Sequence, residues 1–260
     1  MTEQRPRLPD GYRLLAFDEI DSTNAEAARR ADAGEEGPVW LWAGRQTRGR
    51  GRYSRPWASE PGNLYATLVT AAPGPRPADL SFAMALALHD AAAACLPERE
   101  AGGLSLKWPN DLMLDGAKVS GLLLEAVGRR EGDGAPVLAI GFGLNIAHKP
   151  DIADYAVTSL AEHGATATPA RALEHLAAKA AWWIGRWDEG RGFAAIRDAW
   201  LARARGLGGQ IAVTSGSERM TGLFEDLAED GALILRLPDG TARRIFAGDV
   251  FLPGGNRGAA

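Results

Sequence analysis

The sequence predicts an α+β fold, with a mixed β-sheet and helices over residues 1–205 and a small all-β unit over 206–260. Three observations carry this. Strand-like and helix-like segments mix without the strict alternation that a parallel βαβ sheet needs. From Ala78 to about Leu96 apolar residues fill most positions, which reads as a buried helix rather than an amphipathic surface one. After a glycine-rich link at 206–209 the pattern changes to short strands broken by turns.

Taken in order, YRLLAFDEI reads as a strand, and DSTNAEAARRADAG as a helix capped by Ser22 or Thr23 and ended at Gly34. PVWLWAG is a second strand, rich in β-branched and aromatic residues. A loop rich in Gly and Pro runs from about 45 to 62, and NLYATLVT resumes as a strand. LSLKWPNDLML, KVSGLLLEAV and PVLAIGFGLNI read as three further strands, with a hairpin turn at Asp115–Gly116. Two helices, PARALEHLAAKAAWWIGRWDEG and FAAIRDAWLARA, lie within 168–204; their Trp182, Trp183, Trp187 and Trp200 recur near one helical turn and are read as packing. QIAVTSG, ERMTGLFEDLAEDGALILRLPDG and TARRIFAGDVFLPG make a small β-barrel or meander, and the terminal GGNRGAA is expected to fray.

With 46% hydrophobic and 24% charged residues, the 260-residue chain can bury a sizeable core. A net charge of −4 and a pI near 5.7 argue against a general nucleic-acid binder, which needs a basic face. The single Cys95 excludes an intramolecular disulfide, and four scattered histidines offer no zinc spacing. The polar N-terminus lacks an apolar leader and no run of 18 uncharged apolar residues occurs, so a cytoplasmic protein without membrane contact is expected.

Against this acidic background, GRQTRGRGRYSRPW (44–57) carries five arginines and no acid. A nucleic-acid patch, a solvated basic loop and a grip on a small anion are all open. A Walker loop is not, because Arg50 and Gly51 stand where lysine and Ser or Thr are needed. The alternation Arg48-Gly49-Arg50-Gly51-Arg52 lets backbone approach a ligand while permanently charged forks face it. Lys107, Asn110, Asp111 and Lys118 enter segments that read as core strands, where unpaired polar groups are costly. Lys118 is either a ligand contact or a surface hairpin lysine. Asn145, ending GFGLN, is either a turn former or a pocket residue, and Gly-x-Gly there lacks the βαβ setting of a dinucleotide site. DSTN is either a plain helix cap or a cap whose free N–H groups receive an anion.

In sequence, DSTN, Q-T-R-G-R-G-R-x-x-R-x-W, KWPNDL with Lys118 beyond it in K-x-x-G-x-L-x-E, and G-x-G-x-N resemble the catalytic domain of bacterial biotin protein ligases over roughly residues 12–200. The β-unit after 206 fits the same family. The resemblance implies a catalytic domain like that of class II aminoacyl-tRNA synthetases and biotin synthetases, plus an SH3-like β-barrel. It implies activation of biotin with ATP and Mg²⁺ to biotinyl-5′-AMP, then transfer to one lysine of a biotin carboxyl carrier protein. A lipoate or octanoate ligase or transferase shares the fold and is the nearest alternative.

The same resemblance assigns Lys118, Arg50, Arg52 and Asp111 to catalysis, and places biotin against Ser22, Thr23, Asn24, Gln46, Arg50, Gly51, Arg52, Lys118 and Gly121. ATP and the adenylate would meet Arg52, Arg55, Trp57, Lys107, Asn110, Lys118 and Asn145, with Mg²⁺ near Asp111. Two departures stand out. Related loops more often read GRGRRGR, so Tyr53 and Ser54 replace an arginine and a glycine. No helix-turn-helix segment precedes DSTN, so a ligase-only type without DNA binding is expected; a homodimer is possible on the family's pattern.

Overall fold

The computed structural model describes residues 5–151 and 155–252, so the terminal GGNRGAA lies outside the described residues. Seven strands, β1 (Arg13–Ile20), β2 (Val39–Gln46), β3 (Leu64–Ala71), β4 (Leu104–Lys107), β5 (Asp111–Leu114), β6 (Ala117–Arg129) and β7 (Pro136–Leu144), form one sheet in the order β1-β2-β3-β7-β6-β5-β4. Only β1 and β2 are parallel among these pairs; the sheet is mixed, as expected.

Alternation along β2 sorts the two faces. Val39 and Leu41 pack under α1 (Thr23–Asp32) with Ala27, Val69, Val137 and Ala139. Trp40 and Trp42 point the other way, into the large core formed with α2 (Leu80–Cys95), α4 (Pro169–Trp187) and α5 (Phe193–Leu201), the short α3 (Glu98–Ala101) linking α2 to β4. Helix α2 is buried along most of its length, which is why its sequence shows no polar stripe. Pro77–Cys95 is apolar and long enough to cross a membrane, but two thirds of it is buried inside the protein, as a core helix would be. Cys95 is buried and unpaired, and burial pushes its thiol up to about 11.

Two expectations need correction. LSLKWPNDLML is two strands, not one: the chain reverses at Trp108–Asn110, where Pro109 has no N–H to continue a ladder. Reversal sets Leu104 and Leu106 opposite Leu114 and Leu112, and Lys107 opposite Asp111. Among the tryptophans, Trp183, Trp187 and Trp200 are buried, whereas Trp182 is 49% exposed with the Arg186 guanidinium 4.0 Å above its ring. The DG turn holds, with Asp115 at φ 48° and Gly116 at φ 84° joining β5 to β6.

Residues 203–205 run beside β4, exchanging backbone hydrogen bonds with Leu106. The chain then enters a second, antiparallel sheet of β8 (Gln210–Ser215), β9 (Glu218–Leu227), β10 (Leu233–Arg236), β11 (Ala242–Ile245) and β12 (Asp249–Phe251), ordered β11-β10-β9-β8-β12. Its apolar side chains join the main core continuously. Trp108 Nε1 donates to the Gly231 carbonyl (3.3 Å), and Arg197 Nε to that of Leu227 (2.6 Å).

Candidate active site

The α1 face of the sheet carries the site. Across β5, β6 and β7, Asp111 is in register with Gly121 and Gly121 with Gly143; one row along, Thr67 aligns with Gly141 and Gly141 with Leu123. The glycines are there for room. A Cβ on Gly143 would stand 2.5 Å from the Trp57 indole, and one on Gly141 would overlap the Asn24 carboxamide. Gly-x-Gly in β7 thus seats two side chains of the site.

A cavity of about 450 Å³ opens over these rows, within the range of small-ligand sites, and Asp249, Val250, Phe251 and Leu252 of the C-terminal sheet form part of its wall. At one end is a neutral polar group. Ser22 caps α1, its Oγ accepting from Ala25 N (3.4 Å). Thr23 N and Oγ1 both donate to Gln46 Oε1 (2.8 and 3.1 Å), and Gln46 Nε2 donates to Ser59 Oγ (3.0 Å). Thr67 Oγ1 lies 2.8 Å from Thr23 Oγ1 and 2.7 Å from Asn24 Oδ1, while Asn24 Nδ2 donates to Glu125 Oε2 (2.8 Å). Ser22, Thr23 and Asn24 are each 4% exposed, so this network fixes donors and acceptors in a dry setting. The N–H groups of Ser22, Thr23 and Ala25 are taken by Asp21, Gln46 and Ser22, so they do not form a helix-end receptor for an anion.

The other end is charged. Arg50 makes a two-pronged pair with Glu125 (2.8 and 3.0 Å). Asp111 bridges Lys118 (2.6 Å) and Lys107 (3.0 Å), with side-chain exposures of only 13%, 16% and 21%. Burial acts to raise the Asp111 pKa, but the ammonium groups of Lys118 and Lys107 outweigh it and hold the carboxyl below its usual range. Lys118 Nζ also sits 5.5 Å over the Trp57 ring and 5.4 Å over that of Tyr155. Arg55 binds Asp249 Oδ2 (2.6 Å), and Arg52 reaches Asp249 Oδ1 (3.7 Å), the Gly248 carbonyl (3.2 Å) and Asn110 Oδ1 (3.4 Å). Arg50, Arg52, Arg55, Lys107 and Lys118 thus face Glu125, Asp249 and Asp111, five cations against three carboxylates, and the surplus suits a polyanion.

Asp111 does not fit a magnesium ligand. Both its oxygens are held by ammonium groups within 3.0 Å, which would repel a divalent ion.

Family models match this chain twice, at residues 15–145 as the biotin/lipoate A/B protein ligase family and at 206–252 as the biotin protein ligase C-terminal domain. A biotin–[acetyl-CoA-carboxylase] ligase of Paracoccus denitrificans is 43% identical over 243 residues, covering 90% of this chain and 98% of that one. The chain belongs to the biotin protein ligase family. A second relative so named, from Mycobacterium tuberculosis, is 31% identical over 92% of this chain and 89% of its own. The fold agrees with that of a biotin protein ligase from Aquifex aeolicus in complex with biotin and ATP, at a TM-score of 0.74 and 24% identity over 92% of this chain and 97% of that one.

Against this family background, every residue expected to meet biotin lines the cavity, as do Arg55, Trp57, Lys107, Asn110 and Asp111. Asn145 does not. Its Nδ2 donates to the Thr158 carbonyl (3.0 Å), while Thr158 N donates to Lys118 O (3.0 Å), so Asn145 ties down the segment behind Lys118. Thr67, Glu125, Tyr155 and Asp249 were missed as site residues. Glu125 stood in the motif without a role; the other three carry no local signal, since long-range pairing alone brings them here. At the loop departure, Tyr53 and Ser54 adopt φ 54° and 56°. Ser54 therefore holds a left-handed conformation where related loops place glycine, and the Tyr53 ring meets the guanidinium groups of both Arg52 (4.9 Å) and Arg55 (5.5 Å).

Proposed function

We propose that the chain is an ATP-dependent biotin protein ligase. It forms biotinyl-5′-AMP with release of pyrophosphate, then transfers the biotinyl group to a lysine of a biotin carboxyl carrier protein. The observation that carries this is the meeting of Arg50, Arg52 and Lys118 with the polar group around Ser22, Thr23, Asn24 and Gln46 in one cavity.

The first step brings a carboxylate oxygen to the α-phosphorus, so two anions must be held together in line while pyrophosphate leaves with the electrons of the broken P–O bond. Lys118, Arg50 and Arg52 offset that charge at fixed positions, which needs no reorganisation as the reaction proceeds. The ureido ring of biotin offers two donors and one acceptor, and the Thr23–Gln46–Asn24 network offers complements to both. Trp57 gives adenine a face to stack on, and Arg55, Lys107 and Asn110 are proposed for the phosphates and ribose. Asp111, with its lowered pKa, is a poor proton acceptor and acts by aiming Lys107 and Lys118. Mg²⁺ is proposed to arrive on the phosphate oxygens of ATP rather than on Asp111. In the second step the carrier lysine amine attacks the acyl carbon and AMP leaves.

A cytoplasmic location, a catalytic unit ending near residue 205 and a homodimer belong to the same proposal. Pyrophosphate release with ATP, Mg²⁺ and either biotin or lipoate tests it. Biotin-dependent release and a biotin-mass gain on the carrier are expected; turnover with lipoate and none with biotin would overturn it.

A further inference from the structure

We infer that Asp249, on the C-terminal sheet, is a positioning residue that tethers the arginine loop over the cavity and so sets how long the acyl-adenylate is retained; the retention half rests on the ligase reading above. One carboxylate serves two arginines of the loop. Oδ2 binds Arg55 Nη2 at 2.6 Å and Oδ1 faces Arg52 Nη1 at 3.7 Å, while the neighbouring Gly248 carbonyl accepts from the same Arg52 nitrogen at 3.2 Å. The anchor is rigid, because Asp249 is paired with Thr214 of β8 and the next residue, Val250, is buried at 4% exposure.

Thr47 N and Arg48 N donate to the Ile20 and Asp21 carbonyls and Arg50 pairs with Glu125, which holds the base of the loop; the backbone bonds of the turn beyond are local. Gly51 N donates to Arg55 O, Trp57 N to Gly49 O, and Arg50 bridges Pro56. Such bonds shape the turn without fixing where it stands. Tyr53 and Ser54 add two left-handed residues, which favour relaxation of the turn once Asp249 no longer holds it. Without Asp249, the Arg52 and Arg55 guanidinium groups, both near the Tyr53 ring, would have no shared carboxylate, and their repulsion would loosen the turn against the contacts that Arg52 keeps with Asn110 and the Gly248 carbonyl. The C-terminal sheet thereby becomes part of the site's closure rather than a separate appendage. Arg55 is 64% exposed at its side chain, so the tether is one that salt weakens.

Two measurements on the full chain test this, with Asp249→Ala, Asp249→Asn, the conservative Asp249→Glu, and Asp239→Ala, in the turn between β10 and β11, as a control. Hydrogen exchange over residues 48–57 without ligand should quicken in the Ala and Asn variants, recover in Glu and stay native in the control. Release of preformed biotinyl-adenylate should quicken about fivefold in Ala and Asn, the ratio that about 1 kcal/mol gives. Rising KCl should speed release from the native chain more steeply than from Asp249→Ala. Native exchange in Asp249→Ala would overturn the tether. Faster exchange with native release would overturn its role in retention. No adenylate from the native chain would overturn the ligase reading and the retention claim with it, while the exchange data would still decide the tether.

Discussion

Replacing Asp111 by asparagine keeps its shape and removes the charge that Lys118 and Lys107 share at 2.6 and 3.0 Å. Breaking a buried pair from one side costs about 3–5 kcal/mol, because the partner's charge is left uncompensated. The residual exposure of 13–21% places this case near the low end, yet two ammonium groups lose their common partner. At about 2–4 °C per kcal/mol for a chain of this size, a loss of about 3 kcal/mol lowers the unfolding midpoint by roughly 6–12 °C. The pH dependence is the sharper check. The folded-state pKa of Asp111 is depressed, so its contribution is complete above the unfolded-state value of about 4 and is lost as pH falls through the lower folded value. Thermal or urea unfolding of both proteins from pH 7 downward should show the native chain losing its advantage below about pH 4. Asp111→Asn should be flatter there, and its pyrophosphate release should fall because Lys118 is no longer aimed. Equal stability at pH 7, or a difference that persists unchanged in acid, would refute the charge argument.

Gly143→Ala would set a methyl 2.5 Å from the Trp57 ring, well inside the usual carbon contact of about 3.5–4.0 Å, so the indole must move at a cost of about 1–3 kcal/mol. The KM for ATP should rise; an unchanged KM and unfolding midpoint would contradict the cradle. Lys118→Ala should lower adenylate formation roughly 10²–10³-fold, as loss of one charge-stabilising donor does, with biotin binding less affected in calorimetry. Ser54→Gly should stabilise the chain by up to about 1 kcal/mol in urea unfolding, because glycine accepts φ 56° without the strain serine bears. Burial pushes Asp79 up to about 6, partly against Arg76 and with Asp230, so stability falls as pH rises from about 4 through 6. Asp79→Asn should abolish that slope and match or exceed native stability at pH 8.

Most elements were legible because their signals are local. The α1 cap at Ser22, the alternation in β2 and the DG turn at Asp115–Gly116 each rest on a few adjacent residues. The run from Leu104 to Leu114 misled, because its apolar pattern is equally that of one strand or of two facing each other, and the reversal at Pro109 decides between them. Trp182 and Trp183 are neighbours in sequence, and only packing says that one faces Asp90 and the other solvent.

For the site, the sequence by itself determined the chemistry on offer: the arginine–glycine loop, KWPND, Lys118 and the DSTN–Gln46 polar set, all carried by local motifs. Only the tertiary structure decided which acids answer those charges. Glu125 meets Arg50 across 75 residues, Asp249 meets Arg55 across 194, and Asp111 turns to its two lysines only once the chain has folded back at Pro109. Asn145 shows the reverse, a motif residue whose amide the fold uses behind Lys118 rather than in the cavity. The reason is physical. Side-chain type and near-neighbour spacing are written along the chain, whereas an ion pair depends on register between strands and on contact between two sheets, which no short stretch of sequence contains.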